Sequence, residues 1–119
     1  MSGVAKPVAP AGLGAGGRRL WRAVTGSYEL RPDEVATLED AARLSDMITA
    51  LDRAWTDEGR PLTTRGSMGQ LVTHPLISEM RAHRMSRNTL FRQLDLPDLE
   101  GGQSRASRGR GLARARWGA

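Results

Sequence analysis

Apolar residues recur at steps of three or four along the middle of the chain, which predicts a long amphipathic helix. Pro32 suits a first helical position, and Asp33 and Glu34 complement the helix dipole in the first turn. The periodic pattern continues to Trp55 and ends at Gly59. A helix of about seven turns is therefore expected. Its candidate core or oligomer contacts are Leu38, Ile48, Leu51 and Trp55.

A second long helix is expected to start at Pro75, with Thr73 or His74 as its cap, and to stop at Pro97. Its apolar stripe is interrupted, because the residues between Met80 and Leu90 are polar on almost every side. This stretch should face solvent or another charged surface. The candidate core or oligomer contacts of this helix are Leu76, Met80, Leu90, Phe91 and Leu94.

Two shorter elements complete the predicted fold. The segment from Arg18 to Thr25 has apolar residues on one side and arginines on the other, which indicates a short amphipathic helix ended by Gly26. Between Arg60 and Thr73 the helical period disappears, and β-branched residues flank a glycine-containing turn. That pattern indicates a short β-hairpin or an extended loop joining the two long helices.

The two ends have no packing pattern. Residues 1–17 form an arm of Gly, Ala and Pro, and residues 99–119 form a Gly/Arg tail, and both are expected to be disordered. A mainly α domain is therefore predicted over residues 18–98. Gly12, Gly14 and Gly17 match a dinucleotide-binding motif, but no strand precedes them and no βαβ unit fits, so a dinucleotide site is not expected.

The composition narrows the class of protein. A chain of 119 residues is at most one small domain, and it has no cysteine for disulfides, thiolate zinc sites or thiol nucleophiles. No apolar run is long enough for a transmembrane helix, and no signal peptide is evident at the N-terminus. A soluble intracellular protein without membrane contact is expected.

Charge is unevenly distributed along the chain. The net charge is +5, and Lys6 is the only lysine among its 18 cationic residues. Residues 1–32 carry +4, residues 33–59 carry −6, residues 60–100 carry +2 and residues 101–119 carry +5. Basic ends around an acidic middle favour either polyanion binding by the ends or self-association of unlike faces.

Catalytic chemistry is not indicated. The lysine of a phosphate-binding loop is missing, because Lys6 lies upstream of the glycines. The acidic residues are spread along a predicted helix, and His74 and His83 lack metal-ligand spacing and a nucleophile. His74 is interpreted as a helix-start residue and His83 as a solvated one. We therefore expect no cofactor, no metal and no enzymatic activity.

The arginines are the candidate binding residues. Three lie on the short helix beside Trp21, three recur at i, i+3 and i+6 on the last helix, and others fill the tail. Simple solubilisation by arginine remains an alternative reading of the same pattern. The candidate DNA contacts are Arg18, Arg19, Arg22, Arg81, Arg84, Arg87, Arg105, Arg108 and Arg110. The candidate partner-protein contacts are Arg114, Arg116 and Trp117, a basic segment ending in an aromatic anchor.

The order of four segments carries a family resemblance. They are the glycine-rich run into Arg18-Arg19-Leu20-Trp21, the helix opening Pro32-Asp33-Glu34, the segment from Gly66 to Leu76, and the segment from Glu79 to Asp98. In this order and spacing the chain resembles the small terminase subunit of tailed bacteriophages, in the form common among phages of actinobacteria. The resemblance spans residues 12–98.

The resemblance implies a non-enzymatic, ring-forming homo-oligomer in the cytoplasm of the infected host. Such a protein binds double-stranded viral DNA and regulates the ATPase and nuclease of the large terminase subunit during genome packaging. The part of the domain from 32 to 97, about 66 residues, is small on its own, which also favours burial in an oligomer. The short helix is not followed by the tight turn of a helix-turn-helix. The alternative is a small dimeric DNA-binding regulator, antitoxin-like or transcriptional, with a basic arm.

Overall fold

The computed structural model describes residues 6–97, which form three helices and one two-stranded antiparallel sheet. In chain order the elements are α1 (Ala15–Thr25), α2 (Pro32–Asp57), β1 (Thr63–Arg65), β2 (Leu71–Thr73) and α3 (Pro75–Leu94). The predicted mainly α architecture with a hairpin between two long helices is confirmed. Among the described residues, no helix is both long and apolar enough to cross a membrane.

Helix α2 has the predicted first residue and ends two residues before Gly59. The backbone N–H of Arg31 donates to the Glu34 carboxylate at 2.9 Å, which satisfies a donor at the helix start. At the other end the chain leaves the helix through Gly59, whose φ of +90° favours glycine.

Helix α3 also begins at the predicted proline, and His74 is its cap. The Nδ1 atom of His74 accepts a hydrogen bond from the backbone N–H of Leu76 at 3.1 Å. The helix ends at Leu94, because Asp95 adopts a left-handed conformation with φ of +45°. Its N–H donates to the Phe91 carbonyl, a common way to close a helix.

Helix α1 begins at Ala15, three residues before its predicted start at Arg18. The last residues of the predicted flexible arm therefore belong to the packed domain. Leu13, which precedes the helix, is also buried and joins the core cluster. Hydrogen bonds from Gly14 and Gly17 to Asp46 of α2 extend the helix to Ala15.

Helix α2 lies between the other two helices and runs antiparallel to both. The start of α1 contacts Ala42 and Asp46, whereas Trp21 further along packs in the core cluster with Leu38. Helix α3 follows α2 from its end back to Leu38, because His74 contacts Glu58 at one end and Leu94 joins Leu38 at the other. The main core cluster consists of Leu13, Trp21, Leu38, Ala42 and Leu94.

The candidate core residues divide into three groups by exposure. Four are buried, as a core assignment requires: Leu38, Ile48, Met80 and Leu94. Four are half-buried: Leu51, Trp55, Leu76 and Leu90. Phe91 is 37% exposed and does not belong to the core of one chain, because its side chain lies at the edge of the helix pair beneath Arg87. Its use as an oligomer contact stays a prediction.

The β-hairpin projects from the end where α2 passes into α3. Thr63 pairs with Thr73 and Arg65 with Leu71, and the N–H of Gly66 donates to the Gln70 carbonyl at 2.7 Å to close the turn. The register leaves several apolar side chains in solvent. The most exposed of them are Leu62, Met68 and Leu71.

Candidate nucleic-acid interface

The glycine motif at the start of α1 surrounds a carboxylate of the protein itself. The N–H groups of Gly14 and Gly17 donate to the two Asp46 carboxylate oxygens, at 2.6 and 2.7 Å. Free N–H groups at a helix start, together with the helix dipole, favour an anion at this position. Asp46 supplies that anion, so it fixes the start and the direction of α1.

Close helix contact explains why glycine occupies position 17. A Cβ atom there would lie 2.5 Å from an Asp46 carboxylate oxygen and 2.8 Å from the Ala42 carbonyl oxygen. The absence of a side chain lets the two backbones approach and lets the N–H reach the carboxylate. The motif therefore serves helix packing.

The sequence reasoning missed the role of Asp46, which it counted only among the acidic residues spread along the predicted helix α2. One feature of the sequence indicates that an acceptor such as a carboxylate is needed at the start of α1. Glycines where a helix begins leave several N–H groups without acceptors, and such groups need a carboxylate, water or ligand. The pattern of α2 alone does not identify which acidic residue faces α1.

Helix α1 presents its three arginines to solvent. Arg18, Arg19 and Arg22 are all exposed, and the Arg18 guanidinium donates to the Leu13 carbonyl, which ties it to the core segment. Arg19 and Arg22 have no hydrogen-bond or ion-pair partner among residues 6–97. Trp21 is only 3% exposed, so it anchors α1 and is not available to stack on a base.

The predicted arginine row of α3 does not form one surface. Arg81 and Arg84 are exposed, whereas Arg87 is half-buried and donates to the Ser45 hydroxyl of α2 at 3.1 Å. The Arg87 guanidinium also lies 5.7 Å from the Phe91 ring centre. Each step of three residues displaces the side chain by about 60° around the helix, so the row spreads over about 120° and its last member reaches the helix interface. Arg87 is a packing residue rather than part of an exposed cationic row.

Most carboxylates of α2 and its ends already have partners in the same chain. Asp33 pairs with Arg31 at 3.0 Å, and this hydrogen bond lowers the pKa of Asp33 and raises that of Arg31. The other paired carboxylates are Glu34 with Arg31, Glu39 with Arg43, Asp52 with Arg60 and Glu58 with His74. Together with Asp46, these contacts leave few α2 carboxylates for self-association of unlike faces.

The two histidines have structural contacts. His74 is buried, and its Nε2 atom lies 2.8 Å from the Glu58 carboxylate while its Nδ1 accepts from α3. This arrangement places the ring proton on Nε2, where it donates to Glu58. His83 is partly exposed, and its Nδ1 lies 2.7 Å from the Glu79 carbonyl one turn back in the same helix. Within residues 6–97, no three His, Asp or Glu side chains gather as a metal site would require.

The remaining candidates lie outside the described residues. They are Arg105, Arg108, Arg110, Arg114, Arg116 and Trp117. Within residues 6–97, α1 and α2 are joined by residues 26–31, a connection longer than the three or four residues of a helix-turn-helix. Comparison with known protein families, curated proteins and solved structures finds no match for this chain.

Proposed function

We propose that this protein is a small terminase subunit, which binds viral DNA and regulates the large subunit during genome packaging. The observation that carries the proposal is that arginines of α1 lack ion-pair partners in the described residues while most carboxylates of α2 have them. Arg19 and Arg22 are exposed on α1 and have no partner among residues 6–97, whereas the neighbouring carboxylates of α2 are engaged within the chain. Such unpaired guanidinium groups suit phosphate oxygens. The order of segments across residues 12–98 gives the proposal its family.

The proposed DNA contact is made to the phosphate backbone. Arginines on one short helix bind phosphates without reading bases, so affinity falls steeply with salt and depends little on sequence. Asp46 and Gly17 hold α1 in a defined position, which keeps these arginines oriented before DNA arrives. A longer contact is formed when several copies present the same helix to one duplex.

Regulation of the large subunit is proposed to work through binding alone. A protein that holds DNA while contacting the motor raises the local DNA concentration at the motor. It also shifts the motor toward whichever conformation it binds better. Arg114, Arg116 and Trp117 are the proposed contacts, since a basic segment with one aromatic fits an acidic groove with an apolar pocket.

The test combines the purified chain with the large terminase subunit and duplex DNA, and measures ATP turnover. The small protein alone is expected to hydrolyse neither ATP nor DNA, and to change the turnover of the large subunit when added. A truncation to residues 1–100 should lose much of this effect. Equal stimulation by both forms would exclude the tail as the coupler. Turnover by the small protein alone, or a dimer with high affinity for one short DNA sequence, would contradict the proposed function.

A further inference from the structure

An apolar groove opens between α3, the end of α2 and the start of the hairpin. Its volume is about 420 Å³, and its apolar lining includes Trp55, Ile77 and the buried Met80. Two further apolar side chains stand at its edges in solvent, Leu62 at 69% exposure and Met85 at 63%. Exposed large apolar side chains around a groove mark a surface that binds another chain.

Two arginines give the groove its polarity. Arg81 and Arg84 line it, both are exposed, and neither has a hydrogen-bond or ion-pair partner among the described residues. Among the described lining residues there is no carboxylate. Its chemistry therefore suits a peptide with a large aliphatic side chain between two acidic residues, because the aliphatic group fills the apolar part and the carboxylates pair with the guanidinium groups.

The chain itself contains a segment of this chemistry. Immediately after the last described residue the sequence reads Asp98-Leu99-Glu100. Asp98 and Glu100 are the only acidic residues after Asp95. No acidic residue follows them in the tail. The spacing places one leucine directly between two carboxylates.

This segment is too short to enter the groove of its own chain. Pro97 is held at the far end of the molecule, where its carbonyl accepts a hydrogen bond from the Tyr28 hydroxyl. Leu94 lies 14 residues after Met80, which is about 21 Å along α3. Two extended residues from Pro97 to Leu99 span about 7 Å. The groove that receives Leu99 must therefore belong to another copy.

We propose that the Asp98–Glu100 segment of one copy docks in this groove of the next copy. Leu99 enters between Trp55 and Met80, and the flanking carboxylates pair with Arg81 and Arg84. Such a contact is heterologous, since one copy offers the groove and the next the segment, and repetition gives a closed ring or an open filament. It supplies an interface for the assembly in the proposed function, but it does not depend on DNA binding.

Docking of a peptide fits the groove better than DNA does. A phosphate backbone would pair with Arg81 and Arg84 but would leave the apolar edges at Leu62 and Met85 in solvent. Leu99 buries them. The exposed arginines of α3 thus bind the docked segment, and those of α1 bind DNA. The two roles can be tested independently.

The experiment uses two variants of the full chain and measures mass by native mass spectrometry. Arg81→Glu/Arg84→Glu breaks the groove, and Leu99→Asp breaks the segment. The wild-type chain is expected to form an assembly of several copies, and each variant alone should be monomeric. Mixing the two variants should give a species of two chains and nothing larger, because only one intact groove and one intact segment meet.

Charge reversal and a matched control complete the test. Adding Asp98→Arg/Glu100→Arg to the groove variant should restore assembly. Arg19→Glu/Arg22→Glu is the control and should assemble with the same number of copies as the wild-type chain. Thermal melting followed by circular dichroism should show the same folded helices in all variants, since the changed residues are exposed or lie beyond residue 97. The docking would be overturned if the groove variant and the segment variant both assembled with as many copies as the wild-type chain, or if the wild-type chain were monomeric.

DNA binding by the same variants separates this inference from the proposed function. If the groove variant keeps its assembly but loses affinity for duplex DNA, Arg81 and Arg84 belong to the DNA contact and the docking is wrong. If the wild-type chain assembles through the groove but binds no DNA, the docking stands and the proposed function fails.

Discussion

Asp46 accepts a hydrogen bond from the backbone N–H of Gly17 at 2.7 Å, although 29 positions separate the two residues along the chain. The same carboxylate accepts from Gly14 at 2.6 Å. One acidic side chain of α2 thereby caps α1 and brings the two helices into close contact. The orientation of the α1 arginines depends on this contact.

Removing the carboxylate should loosen α1. We expect Asp46→Ala to lower the free energy of unfolding by about 1–3 kcal/mol, because two backbone donors lose a charged acceptor. Asp57→Ala is the control, since Asp57 is exposed near the end of the same helix, and it should change stability by less than about 0.5 kcal/mol. Urea denaturation followed by circular dichroism measures both. Equal stability of the two variants would show that the cap contributes nothing.

The glycines at the helix start provide a second matched pair. Gly17→Ala places a methyl group 2.8 Å from the Ala42 carbonyl oxygen, a backbone atom that cannot rotate away, so we expect a loss of about 2 kcal/mol or more. At Gly16 the nearest atoms would lie at 3.7 Å, an ordinary contact. Gly16→Ala should therefore be neutral or stabilise the helix by up to about 1 kcal/mol. The melting temperature should fall clearly for Gly17→Ala and should stay the same or rise for Gly16→Ala.

The long helices could be predicted because their signal is local. The stretch from Pro32 to Gly59 carries its own starting residues, apolar period and stop, and the same holds for the start of α3 at Pro75. The roles of Asp46 and Arg87 could not be predicted, because they depend on how one helix is rotated against another. Asp46 belongs to the polar side of α2 by pattern, yet α1 lies on that side. Arg87 falls in the polar gap of α3, yet it reaches Ser45 on α2.

The Arg87 contact makes a prediction for stability. Its Nε atom is buried and has no hydrogen-bond partner within residues 6–97, so the side chain depends on Ser45 and on packing over Phe91. We expect Ser45→Ala to destabilise the fold by about 1 kcal/mol. Adding Arg87→Met to that variant should recover most of the loss, because methionine keeps the apolar stem and removes the charge left without an acceptor. A double-mutant cycle by urea denaturation measures the coupling, and simple additivity of the two changes would contradict it.

The tail should contribute a separate electrostatic component of DNA affinity. Residues 101–119 carry five arginines and no acidic residue. Their deletion should therefore flatten the dependence of duplex DNA affinity on salt, because fewer counterions are released. Fluorescence anisotropy with a labelled duplex at several salt concentrations measures the slope. If the slope is unchanged after deletion, the tail acts on a protein partner and not on DNA.

The most direct test of the central claim compares three single variants that each remove one exposed arginine. Arg19→Ala and Arg22→Ala remove guanidinium groups of α1 that have no partner in the described part of the chain, and Arg53→Ala removes the same charge from an exposed position on α2. The measurement is the slope of the logarithm of the duplex DNA association constant against the logarithm of salt concentration. Loss of one phosphate contact should reduce that slope by about 0.9 for each α1 variant, while Arg53→Ala keeps the wild-type slope. An equal slope in all four proteins would contradict the assignment of DNA binding to α1.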